Sequence, residues 1–190
     1  MRKFVFLLGL VLSAAGLMHA QSVDAVAPES PSGGRQAKSS DQPAVEVFAG
    51  GGLMRDGATS GNTLYGGLQF EGSYNFLEHL GATADLSWEH RSIAGVGISQ
   101  WHYLFGPRYS WRKERATLFG HFLLGGNSLR AGGGSTSGFA FGMGGGVDYN
   151  ATRNIAIRGF QVDYIPSRLA GTWFHDFRVG AGVVFKIGRE

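Results

Sequence analysis

The chain has no cysteine among its 190 residues. That excludes a disulfide framework, a thiolate metal site, a cysteine nucleophile and a lipidated N-terminal cysteine. Proline is scarce, with 5 residues, and no Gly-X-Y period accompanies the glycines, so a collagen-like chain is excluded too. Charge is sparse at 16% and nearly cancels: Lys+Arg 17 against Asp+Glu 14 gives +3, of which Arg2 and Lys3 supply two. The bases do not cluster along the chain, which argues against nucleic acid or another polyanion as partner. After the first twenty or so residues, no stretch approaches the roughly 18 consecutive apolar residues of a membrane-spanning helix.

Glycine is what the chain has in excess, 32 residues, well over twice the average share of about 7%. Together with 13% aromatics it points to strands that pack closely and turn tightly. Neither glycine run makes a phosphate loop. Residues 131–138 (AGGGSTSG) lack a following Lys-Ser/Thr, and Gly142-x-Gly144 lacks a third spaced glycine and a helix.

Residues 1–22 read as a signal peptide: a basic start, an apolar run from Phe4 to Leu12, then small residues before Ala20 and Ser22. Cleavage after either gives a mature chain beginning at Gln21 or Val23. Residues 23–43 are rich in Ser, Pro, Gly and charge, cannot bury a core, and are expected to form a flexible periplasmic tail.

From residue 44 to 190 the texture becomes a period-2 alternation broken by turn signals, which predicts β-strands. Val47 and Leu53, Leu68 and Phe70, Leu86 and Trp88, Tyr103 and Phe105, Phe122 and Leu124, Phe141 and Met143, and Val183 and Phe185 each share the apolar parity of their run. The opposite parity carries the charges Glu46, Glu71, Asp85, Glu89, Arg108, Asp148, Asp163, Arg178 and Lys186, the histidines His102 and His121, and a column of Gly142, Gly144 and Gly146. Phe119 and Leu123 intrude on the polar side. In the seventh run Arg158 breaks the pattern, and either a bulge at Gly159 turns it inward or it snorkels from the outside. Residues 56–63, 91–100, 128–137 and 166–172 read as longer loops, alternating with short turns at 76–79, 113–115 and 150–154. Short turns on one side and long loops on the other are the pattern of an outer-membrane barrel.

A soluble barrel alternates as well, but with its apolar face inward. Here the nearly charge-free face is apolar, and the charged, glycine-rich face suits a narrow lumen. Aromatics fall at both ends of the runs: Tyr74, Trp111, Tyr149 and Phe185 at one, Trp88, Trp101, Tyr164 and Trp173 at the other. Two such girdles mark the two headgroup layers.

With Val45 to Gly52, Tyr74-Asn75-Phe76 leading into Leu80-Gly81, Gly106-Pro107-Arg108-Tyr109, and Gly144-Gly145-Gly146-Val147-Asp148-Tyr149, the chain resembles the OmpA-like/OmpX-like small outer-membrane barrels. The closing strand, Arg178-x-Gly180-x-x-Val183-x-Phe185, is similar to the signal these barrels present to the assembly machinery. The resemblance implies an all-β, eight-stranded, antiparallel up-and-down transmembrane barrel. It also implies a cell-outer-membrane location, outer-membrane lipid and lipopolysaccharide as surroundings, and the barrel-assembly machinery as a partner through the last strand. OmpA-type proteins often add a peptidoglycan-binding domain; this chain stops at Glu190, so wall tethering is not expected.

In so narrow a barrel the lumen charges are expected to pair. Arg108 should bridge Glu71 and Asp85, and Glu46 should meet Lys186 at the seam. His175-Asp176 and His90 lie where lipid-modifying barrel enzymes carry a Ser-His-acid site, but no serine is paired with them by sequence. The expected function is a non-enzymatic, structural or surface-exposed outer-membrane protein with loop-borne interactions, monomeric, with no cofactor, metal or nucleic acid. The alternatives are a narrow porin-like channel, a lipid A-modifying enzyme and a secreted lipocalin-type barrel.

Overall fold

In the computed structural model the described residues are 43–55, 57, 64–93 and 96–188. The leader, almost all of the 23–43 tail and most of residues 56–63 lie outside them. Eight strands follow one another: β1 (Val45–Arg55), β2 (Leu64–Asn75), β3 (Leu80–Ile93), β4 (Val96–Arg112), β5 (Ala116–Ala131), β6 (Gly134–Asn150), β7 (Ile155–Leu169) and β8 (Thr172–Ile187). Each pairs antiparallel with its neighbour in sequence, and β1 pairs with β8, so the sheet closes into a barrel without a free edge. The seam runs from Val45 opposite Ile187 to Arg55 opposite Phe177, and is clasped by the Ala44 N–H donating to Gly188 O at 2.8 Å.

Side-chain parity follows the alternation in the sequence. Leu68, Phe70, Phe105, Phe160 and Phe177 face out and are about half exposed, whereas the charges of the opposite parity are buried. The lumen also holds apolar layers: Leu104, Leu123, Ala140 and Ile165 form one, Phe48, Ala156 and Val184 another. Phe119 and Leu123 belong to this filling.

The bulge alternative holds for Arg158. Its neighbours pair as Val147 with Phe160 and Asp148 with Arg158, so β7 carries one residue more than β6. The same irregularity separates Arg158 from Gln161 against β8. The extra residue resets the parity and turns Arg158 into the lumen, where it is fully buried.

The expected long loops need correction. Residues 91–93 and 96–100, 128–131 with 134–137, and 166–169 are paired strand, and the β5–β6 and β7–β8 connections are two-residue turns. Gly132 (φ 55°) with Gly133 (φ 85°), and Ala170 (φ 47°) with Gly171 (φ 87°), hold positive φ at both central positions. That is the turn geometry whose twist matches a hairpin. These segments looked like loops because strands polar on both faces lose the apolar alternation that marks a strand.

The strands tilt steeply. Stepping across paired residues from Trp173 through Arg168, Phe139, Gly126, Tyr103, Leu86, Phe70 and Ala49 returns to β8 at Val183, ten residues (183 − 173) along. Residues opposite one another in the sheet therefore sit at different heights around the barrel.

Candidate functional site

All nine lumen charges read from the sequence are buried: Glu46, Glu71, Asp85, Glu89, Arg108, Asp148, Asp163, Arg178 and Lys186. They fall into two linked clusters. In the lower one, nearer the chain termini, Arg108 holds Glu71 at 2.6 Å, Glu46 at 3.2 Å and Asp148 at 3.4 Å. Arg158 grips Asp148 side-on, Nε to Oδ1 at 2.7 Å and Nη2 to Oδ2 at 3.1 Å, and reaches Glu71 at 3.3 Å. The Phe119 ring lies 4.1 Å from the Arg108 guanidinium and 4.2 Å from that of Arg158, and Phe48 lies 4.2 Å from Arg158. These contacts add cation–π attraction in a site without bulk water.

In the upper cluster Arg178 binds Asp85 through two hydrogen bonds of 3.0 Å and Asp163 at 2.7 Å, with Glu89 at 4.0 Å. Gln69 donates to Asp85, and His102 Nδ1 lies 3.2 Å from Glu89. Two side chains join the clusters. Gln161 accepts from Arg158 at 2.7 Å and donates to Asp163 at 2.8 Å, and His121 sits 2.9 Å from Asp163 and 3.9 Å from Glu71. A buried charge is tolerated only when paired and hydrogen-bonded, and Arg108, Arg158 and Arg178 each meet at least two carboxylates.

Two expected partnerships are rearranged. Arg108 takes Glu71 but not Asp85, whose two oxygens are held by Arg178 from β8. Glu46 and Lys186 do pair across the seam in backbone register, yet the Glu46 carboxylate meets Arg108 and, at 3.5 Å, Arg112, while the Lys186 ammonium donates to Asn150. The strand tilt carries each long side chain past its sheet neighbour to a partner across the lumen. Arg112, Arg158, His102, His121, Gln69 and Gln161 complete the network beyond the charges picked from the sequence. For Arg112 the signal was available, since it shares the inward parity of Arg108 and Ser110.

The Gly142, Gly144 and Gly146 column is filled by side chains and backbone from neighbouring strands. A Cβ on Gly142 would stand 3.1 Å from the Leu104 side chain, one on Gly146 3.0 Å from the Phe119 ring, and one on Gly144 would collide with the Asp163 carboxylate. The void beside Gln69, Glu89 and Arg178 measures about 10 Å³, room for roughly one water. At the end bearing the termini the barrel opens into a vestibule of about 1030 Å³, lined by Glu78, Arg112, Arg115, Asn150, Arg153 and Lys186 among others. At the far end the Gly57 N–H donates to Asp176 at 3.1 Å, drawing the start of the β1–β2 connection onto β8.

The aromatics lie on the outer surface. Tyr74, Trp111, Tyr149 and Phe185 sit near the terminal end of β2, β4, β6 and β8. Toward the far end Trp88 is paired with Trp101 with ring centroids 6.2 Å apart, Tyr164 stacks on His175 at 6.0 Å, and Trp173 is paired with Arg168. His175 and Asp176 point to opposite faces: the first bonds the Tyr164 hydroxyl at 2.6 Å outside, the second faces the lumen. His90 does contact a serine, Ser99, at 2.9 Å on the outer surface, but the adjacent Glu89 is turned inward to His102. Among the described residues, the serine, histidine and carboxylate roles of a triad are therefore not brought together there.

No family model and no curated protein matches the chain. Solved structures do. Neisserial surface protein A aligns with a TM-score of 0.59 at 15% identity, over 76% of this chain and 97% of that one. Ail of Yersinia pestis, in complex with the heparin analogue sucrose octasulfate, aligns at 0.53 and 17% identity, over 76% and 99%. The N-terminal barrel domain of Pseudomonas aeruginosa OprF aligns at 0.50 and 12%, over 75% and 97%. With its closed ring of eight antiparallel strands, the chain has the fold of the small outer-membrane β-barrels of the OmpA/OmpX-like type.

Proposed function

We propose that the protein is a non-enzymatic barrel of the bacterial outer membrane whose lumen is sealed by its own salt bridges. The observation that carries this reading is inverted polarity. The outside is a continuous belt of exposed Leu, Val, Ile, Phe and Tyr, and the inside is charged and buried. An apolar surface of that extent is unusual on a soluble monomer and is what a bilayer requires of a spanning barrel. The two aromatic girdles support a depth between them, and in this reading the termini and short turns face the periplasm while the β3–β4, β5–β6 and β7–β8 hairpins project outward. Surface contacts are then made by these hairpins and by the β1–β2 connection. Outer-membrane lipid and lipopolysaccharide surround the barrel, β8 addresses the assembly machinery, and the protein acts as a monomer.

The side chains packed into the lumen weigh against a lipocalin-type ligand and against the channel. Fractionation and single-channel recording test the reading together. The protein should sediment with outer membranes and give no discrete conductance steps in planar bilayers. Recovery in the soluble periplasm would refute the membrane reading, and steady conductance would refute the sealed lumen.

A further inference from the structure

The outward face of the far end carries a polar row just beyond the aromatic girdle. Trp88 pairs with Trp101, and Trp101 with Ser128. One pleat further out, His90 pairs with Ser99, Ser99 with Arg130, and Arg130 with Ser135. His90 stacks on Trp88 at 5.8 Å with 22° between the rings, and its Nδ1 lies 2.9 Å from the Ser99 hydroxyl. That shared hydrogen bond uses one of the pair's two donors. Whichever atom holds the proton, one N–H or O–H of the pair stays free, and Arg130, the register partner of Ser99 on the same outward face, is exposed.

The exposed charge of the described far end is one-sided. Among the described residues, the exposed charges of the far end are Arg55, Arg130 and Arg168, all on the outward face, and the acids of that end, Glu89 and Asp176, are buried in the lumen. No ion pair to Arg130 is formed among the described residues. The terminal end, by contrast, has half-buried Glu78 and exposed Glu114 beside its bases. Three arginines far apart in sequence thus share one rim, Arg168 two strands and Arg55 four strands round the barrel from Arg130, which the spacing of bases along the chain did not reveal.

Resting on the membrane reading above, we propose that His90, Ser99 and Arg130 bind the phosphate of an outer-leaflet glycolipid headgroup. An exposed guanidinium presents a fork of donors matched to phosphate oxygens, and the His90–Ser99 pair adds a further donor on the neighbouring strands. The depth selects the lipid over a soluble polyanion. The row shares the face of the apolar belt and lies one pleat above the tryptophans that mark the headgroup level, which puts it within reach of lipid headgroups.

The test uses the full mature protein in phosphatidylcholine nanodiscs doped with lipid A, either diphosphorylated or enzymatically dephosphorylated with the same acyl chains. Native mass spectrometry reads the lipid A retained per barrel. Wild type should retain the phosphorylated form about tenfold over the dephosphorylated one. Arg130→Gln should remove most of that preference, Ser99→Ala and His90→Phe should reduce it about threefold, and Arg130→Lys should keep part of it. Arg153→Gln, at the other end, should match wild type, and excess inorganic phosphate should not displace the lipid. Equal retention of both lipids by wild type, or an unchanged preference in Arg130→Gln, overturns the site. So does Arg130→Gln that loses only binding of a soluble sulfated sugar. A chain that leaves the discs empty overturns the membrane reading and the site with it.

Discussion

Arg178 grips Asp85 through two parallel hydrogen bonds, Nη1 to Oδ1 and Nη2 to Oδ2, each 3.0 Å long, between residues 93 apart in sequence. The pair ties β8 to β3 through the lumen, across the barrel from any sheet hydrogen bond. Its net attraction matters less than the unpaired buried charge that loss of either partner would leave behind.

Arg178→Met should therefore destabilise the barrel by about 3–5 kcal/mol, because Asp85 and Asp163 would keep buried charges without their shared cation. Adding Asp85→Leu should restore part of the loss, since a paired replacement by apolar groups is close to neutral. Urea unfolding from lipid vesicles measures both. Because the pair is shielded from solvent, high salt should shift the wild-type midpoint little. A silent Arg178→Met would contradict the plug.

The bulge makes a sharper contrast. A Cβ on Gly159 meets nothing within 4 Å, so Gly159→Ala should unfold within about 0.5 kcal/mol of wild type, as a surface change does. Deleting Gly159 removes the extra residue and shifts residues 155–158 by one, which turns Arg158 outward and Ile157 inward. The deletion should fail to fold into vesicles. Folding with normal yield would show that the bulge does not set the orientation of Arg158.

Gly144 is expected to tolerate nothing larger. Its side faces the Asp163 carboxylate and the Val162 carbonyl, so Gly144→Ala must displace a network member or the β7 backbone. A loss of about 1–3 kcal/mol is expected from such overpacking, read from the same urea titrations.

Much of the barrel is legible in the sequence. Period-2 alternation carries the strands and the inward face of the charges from Glu46 to Lys186, because a closed barrel repeats one rule eight times. Pairing is not legible. A register step of ten around the barrel and a lumen one side chain wide let Arg108 bypass Asp85, and let Arg178 reach it instead. The outer hairpins escape a sequence reading for another reason. Ser128, Ser135 and Ser137 lie above the apolar belt, where both faces are polar and alternation carries no signal. Arg158 is undecidable from sequence, since a bulge shows in backbone register before it shows in residue pattern.

The outward surface holds the central claim. Phe105, 62% exposed, lies midway between the Trp101 and Trp111 levels of β4, and Phe105→Arg should cost about 2–4 kcal/mol if that face meets lipid. The most direct measurement is the heat-modifiable mobility of the protein on gels after mixing with lipid vesicles. Unboiled wild type should run as a compact, protease-resistant band distinct from the boiled form, and Phe105→Arg should lose most of that band. A wild-type chain that folds in buffer without lipid or detergent, and tolerates Phe105→Arg unchanged, would contradict the account.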